Sequence, residues 1–291
     1  MTKSAAPCHG GGAVFLFPGD PAALASGLSS FLHKEKIFFL LLFSIDRSGK
    51  KQYNYLCGIM QIDQHSLPEH YIWLNSHRRQ TNMTVMERLA NSIVVPVVVL
   101  DKVEDAVPTA KAMAAGGVDT MEITFRTACA PECIKAVAES CPDVLVGAGT
   151  IVNLDQCKLA IEMGAKFIVS PGFSDEIVGY CVANGIPVAP GCVTPTEIMG
   201  ALKHGLKMVK FFPANVYGGL SALKNLAGPF VGLKFLPTGG VNNNNIKEFI
   251  DTPFIHAVGG SWVCPKADIA AGNWEKITQL CIDARKAAKG E

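Results

Sequence analysis

The chain has 291 residues, 49% of them hydrophobic and 18% charged, a balance that supplies a large core and excludes global disorder. A formal net charge of +1 offers no basic surface for nucleic acid or for an anionic membrane. The ten cysteines are scattered without a C-x-x-C pair, so they read as reduced thiols of a cytoplasmic protein and not as a disulfide framework or a zinc site.

Residues 1–82 hold five of the seven histidines and three of the five tyrosines. They show no sustained helical or strand periodicity apart from a short helix expected over Ala22–Leu32. Their longest apolar run, Ile37 to Phe43, spans about a third of a bilayer core at ~1.5 Å per residue and is no membrane span. It also lies too far from the start, behind a non-basic stretch, to be a signal peptide. The expectation is an irregular, poorly ordered and non-catalytic extension over 1–82, with Met83 as the natural start of the functional chain.

From residue 83 to residue 291 the texture is regular. Apolar runs begin at 93, 120, 145, 166, 186, 208, 234 and 256, each short enough for a buried strand. Most of the gaps hold a helix-like segment closed by glycine, such as LDQCKLAIEMG and PTEIMGALKHG. Near-continuous apolar strands alternating with helices imply parallel pairing, and eight such units predict a closed (β/α)₈ barrel of the TIM type. A doubly wound open sheet is the alternative, weakened because no G-x-G-x-x-G follows the first strand.

In such a barrel the chemistry belongs at the C-terminal ends of the strands. In MEITFRT, alternation turns Met121, Ile123 and Phe125 toward the helices and Glu122, Thr124 and Arg126 toward the barrel axis. Within KMVKFFPA, Lys210 alternates with Val209 and Phe211 and therefore also points inward. An amine, a carboxylate and a guanidinium are thereby expected in one cavity. Burial among apolar side chains favours the neutral amine, which can attack a carbonyl. The bland alternative is a structural Glu–Arg pair and a satisfied lysine.

The last two strands run into TGGV and VGGSW, glycine loops whose backbone N–H groups can approach a phosphate. Only His204 and His256 fall in this region, with no H-x-H or H-x-x-H spacing. That disfavours a metal-dependent route to the same chemistry and leaves carboxylate-bound Mg²⁺ open.

The stretches MEITFRT, VGAGTI, FIVSPGF, APGCVTPTEI, KMVKFFPA, LPTGGV and VGGSW cover every strand after the first. In them the chain resembles the 2-keto-3-deoxy-6-phosphogluconate aldolase family, whose members also handle 4-hydroxy-2-oxoglutarate. The resemblance implies a cofactor-free, homotrimeric class I aldolase that releases pyruvate from a phosphorylated keto acid. It implies Lys210 as the imine-forming residue and Glu122 as general acid and base. Arg126 and Thr150 would hold the substrate carboxylate, with Pro171 shaping that pocket. Thr238 would bear on stereochemistry at C4, and Gly239, Gly240, Gly260 and Ser261 would receive the phosphate. The first 82 residues have no counterpart in the resemblance. The rival readings are an aldolase for the phosphogalactonate epimer, a non-catalytic barrel that binds sugar-acid phosphates, and an isomerase without an imine lysine.

Overall fold

Each of the eight apolar runs contains a strand in the computed structural model, which describes residues 83–291 together with two short strands before them. Those two, β1 (Leu42–Ile45) and β2 (Lys51–Asn54), pair antiparallel with Leu42 opposite Asn54. The periodicity of the extension did not reveal them. The helix expected over Ala22–Leu32 and the remainder of 1–82 lie outside the described residues. The chain divides into two units at Ile72 and Trp73, a little before the change in composition.

Among the described residues the larger unit starts with α1 (Val85–Ser92), set by a capping box. The Thr84 hydroxyl accepts the Glu87 N–H at 3.2 Å, while the Glu87 carboxylate accepts the Thr84 N–H at 2.7 Å. Then strand and helix alternate: β3 (Val94–Val98), α2 (Ala106–Ala115), β4 (Thr120–Thr124), α3 (Ala130–Ser140), β5 (Leu145–Gly149), α4 (Leu154–Glu162), β6 (Ile168–Val169) and α5 (Asp175–Ala183). The second half continues with β7 (Val188–Ala189), α6 (Pro195–Lys203), β8 (Met208–Phe211), α7 (Gly219–Ala227), β9 (Lys234–Pro237), α8 (Ile246–Ile250), β10 (Val258–Gly260), α9 (Lys266–Ala270) and α10 (Trp274–Lys289). The glycine stops behave as the sequence implies. At Gly164, with φ +103°, the chain turns back, and the Ala165 N–H reaches the Ala160 carbonyl at 3.0 Å.

All the ladders of this unit are parallel, in the order β10-β3-β4-β5-β6-β7 and β8-β9. Two junctions complete the circle. Gly191, just past β7, bridges Lys210 of β8, and Thr238, just past β9, bridges Gly259 of β10. The barrel is therefore closed, as the strand count predicts, and an open sheet is ruled out.

Its two faces are filled differently. Met121, Ile123, Val209 and Phe211 point outward and pack in one large apolar cluster with helix residues such as Met113, Ile134, Ile177 and Ile198. A smaller cluster occupies the axis: Val95, Leu145, Phe167, Met208, Leu236 and Ala257, joined by Leu89 from α1. This helix therefore floors the barrel, and the opposite end is left for a site.

Candidate active site

Alternation on β4 and β8 decides what the axis receives above its apolar layer. With Met121 and Ile123 outward, Glu122 turns inward, and with Val209 and Phe211 outward, Lys210 does the same. The two meet: the Lys210 ammonium nitrogen lies 3.3 Å from Glu122 Oε1, with Glu122 0% and Lys210 5% exposed. Two charges this far from water carry a desolvation cost of several kcal/mol each, so such a pair is a poor source of stability compared with apolar side chains of equal volume. The other carboxylate oxygen, Oε2, is buried without a hydrogen-bond partner among the described residues. Such an atom can trade protons with a bound molecule.

The carboxylate has room because β5 carries glycine. A Cβ at Gly149 would collide with the Glu122 carboxylate, so the side chain there must be absent. Nearby, the Lys210 nitrogen stands 5.2 Å from the centre of the Phe212 ring, an aromatic face that attracts a cation. Cys192 lies alongside, its N–H donating to the Lys210 carbonyl at 2.8 Å. Its side chain packs in the outer apolar cluster, and burial pushes its thiol up to about 12, which keeps it protonated and unreactive.

Lys210 opens onto a cavity of about 540 Å³ at the C-terminal end of the barrel. Arg126, Phe212, Thr238, Gly239, Gly240, Gly260 and Ser261 all line it. Two residues past the end of β4, Arg126 is exposed and pairs with no carboxylate among the described residues; its Nε donates to Thr150 Oγ1 at 3.3 Å. Thr150 has φ +58°, a left-handed conformation that costs a residue with a Cβ ~1–3 kcal/mol and that recurs at binding sites. The glycine loops are braced by side chains that the sequence reading passed over. Asn245 donates from Nδ2 to the Gly240 carbonyl at 2.9 Å, and the Trp262 indole N–H donates to Asn243 Oδ1 at 2.7 Å. The second bond ties the loop after β10 to the loop after β9.

Of the ten expected site residues, seven line this cavity, while Glu122 and Thr150 join it through Lys210 and Arg126. Pro171 does not line it. It sits exposed at the rim with its backbone against Gly191, which in turn bridges Lys210. Thr124 also points inward, but its hydroxyl is spent on the Val98 carbonyl at 2.9 Å. Sequence reasoning missed Val97, Val99, Cys264, Pro265 and Lys266, which line the wall with Val241 and Trp262. Lys266 is a cation five residues after Ser261.

A family model described as KDPG and KHG aldolase matches residues 85–280. The chain is 46% identical over 198 residues to a 2-dehydro-3-deoxy-phosphogluconate aldolase of Treponema pallidum, an overlap of 68% of this chain and 94% of that protein. It is similar to the crystal structure of a KDPG aldolase from Legionella pneumophila that captured pyruvate as a covalent carbinolamine, with a TM-score of 0.67 and 38% identity over 69% of this chain and 98% of that one. A 2-keto-3-deoxy-6-phosphogluconate aldolase of Zymomonas mobilis with 3-phosphoglycerate matches at TM-score 0.64 and 38% identity, covering 69% of this chain and 94% of that one.

Proposed function

The chain belongs to the KDPG and KHG aldolase family, and on that premise we propose that it cleaves 2-dehydro-3-deoxy-6-phosphogluconate to pyruvate and glyceraldehyde 3-phosphate through an imine on Lys210. The observation that carries this reading is the buried Lys210–Glu122 pair, 3.3 Å apart at the inner end of a cavity lined by cations and glycine loops. The carbinolamine of the Legionella relative and the 3-phosphoglycerate of the Zymomonas relative support a covalent route and a phosphate site.

The steps follow from the geometry. Glu122 takes a proton from the Lys210 ammonium, and the neutral amine adds to the C2 carbonyl. The same carboxyl returns a proton to the departing hydroxyl, and loss of water leaves a protonated imine. Glu122, again ionised, removes the proton of the C4 hydroxyl through a water. The C3–C4 bond breaks, its electron pair passes to the imine nitrogen, and glyceraldehyde 3-phosphate leaves. The remaining enamine is protonated at C3 and hydrolysed, which releases pyruvate and restores the amine. Arg126, oriented by Thr150, holds the C1 carboxylate, and Thr238 faces C4. Pro171 shapes the carboxylate pocket through the position of Gly191, and Gly239, Gly240, Gly260 and Ser261 receive the phosphate.

The same chemistry extends to 4-hydroxy-2-oxoglutarate, which lacks the phosphate. The catalytic unit is 83–291 in this reading, since about two thirds of the chain accounts for nearly the whole length of its relatives. It works as a cytoplasmic homotrimer; no helix among the described residues is long and apolar enough to cross a membrane. Borohydride reduction in the presence of pyruvate should add one pyruvate-derived mass, mapped to Lys210. Full turnover by Lys210→Ala would overturn the mechanism. Rates on the two substrates and on the galactonate epimer fix the preference.

A further inference from the structure

Lys266 is a third cation lining the cavity, and the steps above give it no task. It sits on the same loop as Gly260 and Ser261, at the first residue of α9. Its ammonium lies 2.8 Å from the carboxylate of Asp101, which follows β3, so the pair links two neighbouring loops at the rim. Both side chains are more than half exposed, 56% for Lys266 and 53% for Asp101. An ion pair this wet adds little net stability, and its long lysine arm changes rotamer rapidly. The contact is therefore easily exchanged for a better one.

The phosphate loops need such a partner. Gly239, Gly240 and Gly260 offer neutral backbone donors, and Ser261 offers a neutral hydroxyl. Arg126 is held beyond β4 by Thr150, and Lys210 faces Glu122. A phosphate ester brings close to two negative charges, and charge-assisted hydrogen bonds to it are stronger than neutral ones. Lys266 is the lining cation on the same loop as part of the phosphate cradle.

We propose that Lys266 is a specificity-determining residue that leaves Asp101 for the terminal phosphate of the substrate. Asp101 holds the ammonium in reserve while the cavity is empty and competes with the phosphate when it is full. The pair thereby sets how strongly phosphorylated keto acids are preferred over unphosphorylated ones.

The inference rests on the aldolase reading, and the test keeps the two apart. The full chain and its Lys266→Ala, Lys266→Arg and Asp101→Asn variants are assayed on the phosphorylated substrate and on 4-hydroxy-2-oxoglutarate. Inorganic phosphate is added as a competing probe. The ratio of kcat/KM for the two substrates should fall about tenfold in Lys266→Ala, the size of a lost hydrogen bond to a charged group, with the change in KM. It should return in Lys266→Arg and rise in Asp101→Asn, and inhibition by phosphate should follow the same order. A ratio in Lys266→Ala within twofold of the parent, or unchanged phosphate inhibition, overturns the role of Lys266. Pyruvate carries no phosphate, so failure of borohydride trapping in the parent chain would instead overturn the imine chemistry.

Discussion

Glu122 is the residue on which charge and chemistry meet. Replacing it with Gln keeps the shape beside Lys210 but removes the group that moves protons in at least three steps of the proposed mechanism. General acid–base catalysis of this kind contributes ~10²–10⁴-fold, so kcat of Glu122→Gln should fall within that span while the circular dichroism spectrum stays native. An unchanged kcat would show that the proton carrier is elsewhere. Lys210 and Glu122 were legible in the sequence because a charged residue inside an apolar run has few structural uses. Lys266 was not, since a lysine opening a short helix reads as surface, and its partner Asp101 lies 165 positions away. No periodicity encodes that meeting; only the closure of the barrel creates it.

At the scale of elements, the eight strands could be read because parallel strands buried on both faces are continuous apolar runs. Their ends were harder: β6 and β7 keep only two residues each of the longer runs that announced them, because proline and glycine follow β7 at once and β6 after a single serine. Helix α1 escaped notice although T-V-M-E is a capping-box sequence. At eight residues, set directly against β3, it is too short to show its period. What makes it matter is Leu89, which is 2% exposed and packs into the axial cluster. Leu89→Ala should destabilise the barrel by ~2–5 kcal/mol, read as a lower urea midpoint with an unchanged slope. A loss below 1 kcal/mol would mean that the floor is dispensable.

For the whole molecule, the junction of α1 with the barrel brings a pH dependence. His256, in the segment between β9 and β10, donates from Nε2 to the Met86 carbonyl at 2.8 Å. Burial holds its imidazole below the usual histidine range, and Lys234 acts in the same direction. The unfolded chain therefore takes up a proton before the folded chain does. Stability should be complete above pH ~6.5 and fall as the pH drops from there toward the lower value of the folded state. Urea midpoints at pH 7.5 and 5.5 measure the loss, and His256→Gln should flatten it. Carboxylates such as Asp268, held low by its hydrogen bond from Lys276, add their own loss only in more acid solution. An equal slope in His256→Gln would transfer the effect to other groups.

Among the described residues, a floor at one end leaves the barrel open at the other. In the proposed mechanism the keto-acid half, tethered to Lys210 at the inner end of the cavity, has the aldehyde phosphate between itself and the outside. Departure is thus a queue in which the three-carbon phosphate must vacate first, and the solvent molecule that frees the second product can arrive only behind it. An excess of that aldehyde would therefore hold the tethered fragment in place and run the reaction toward synthesis.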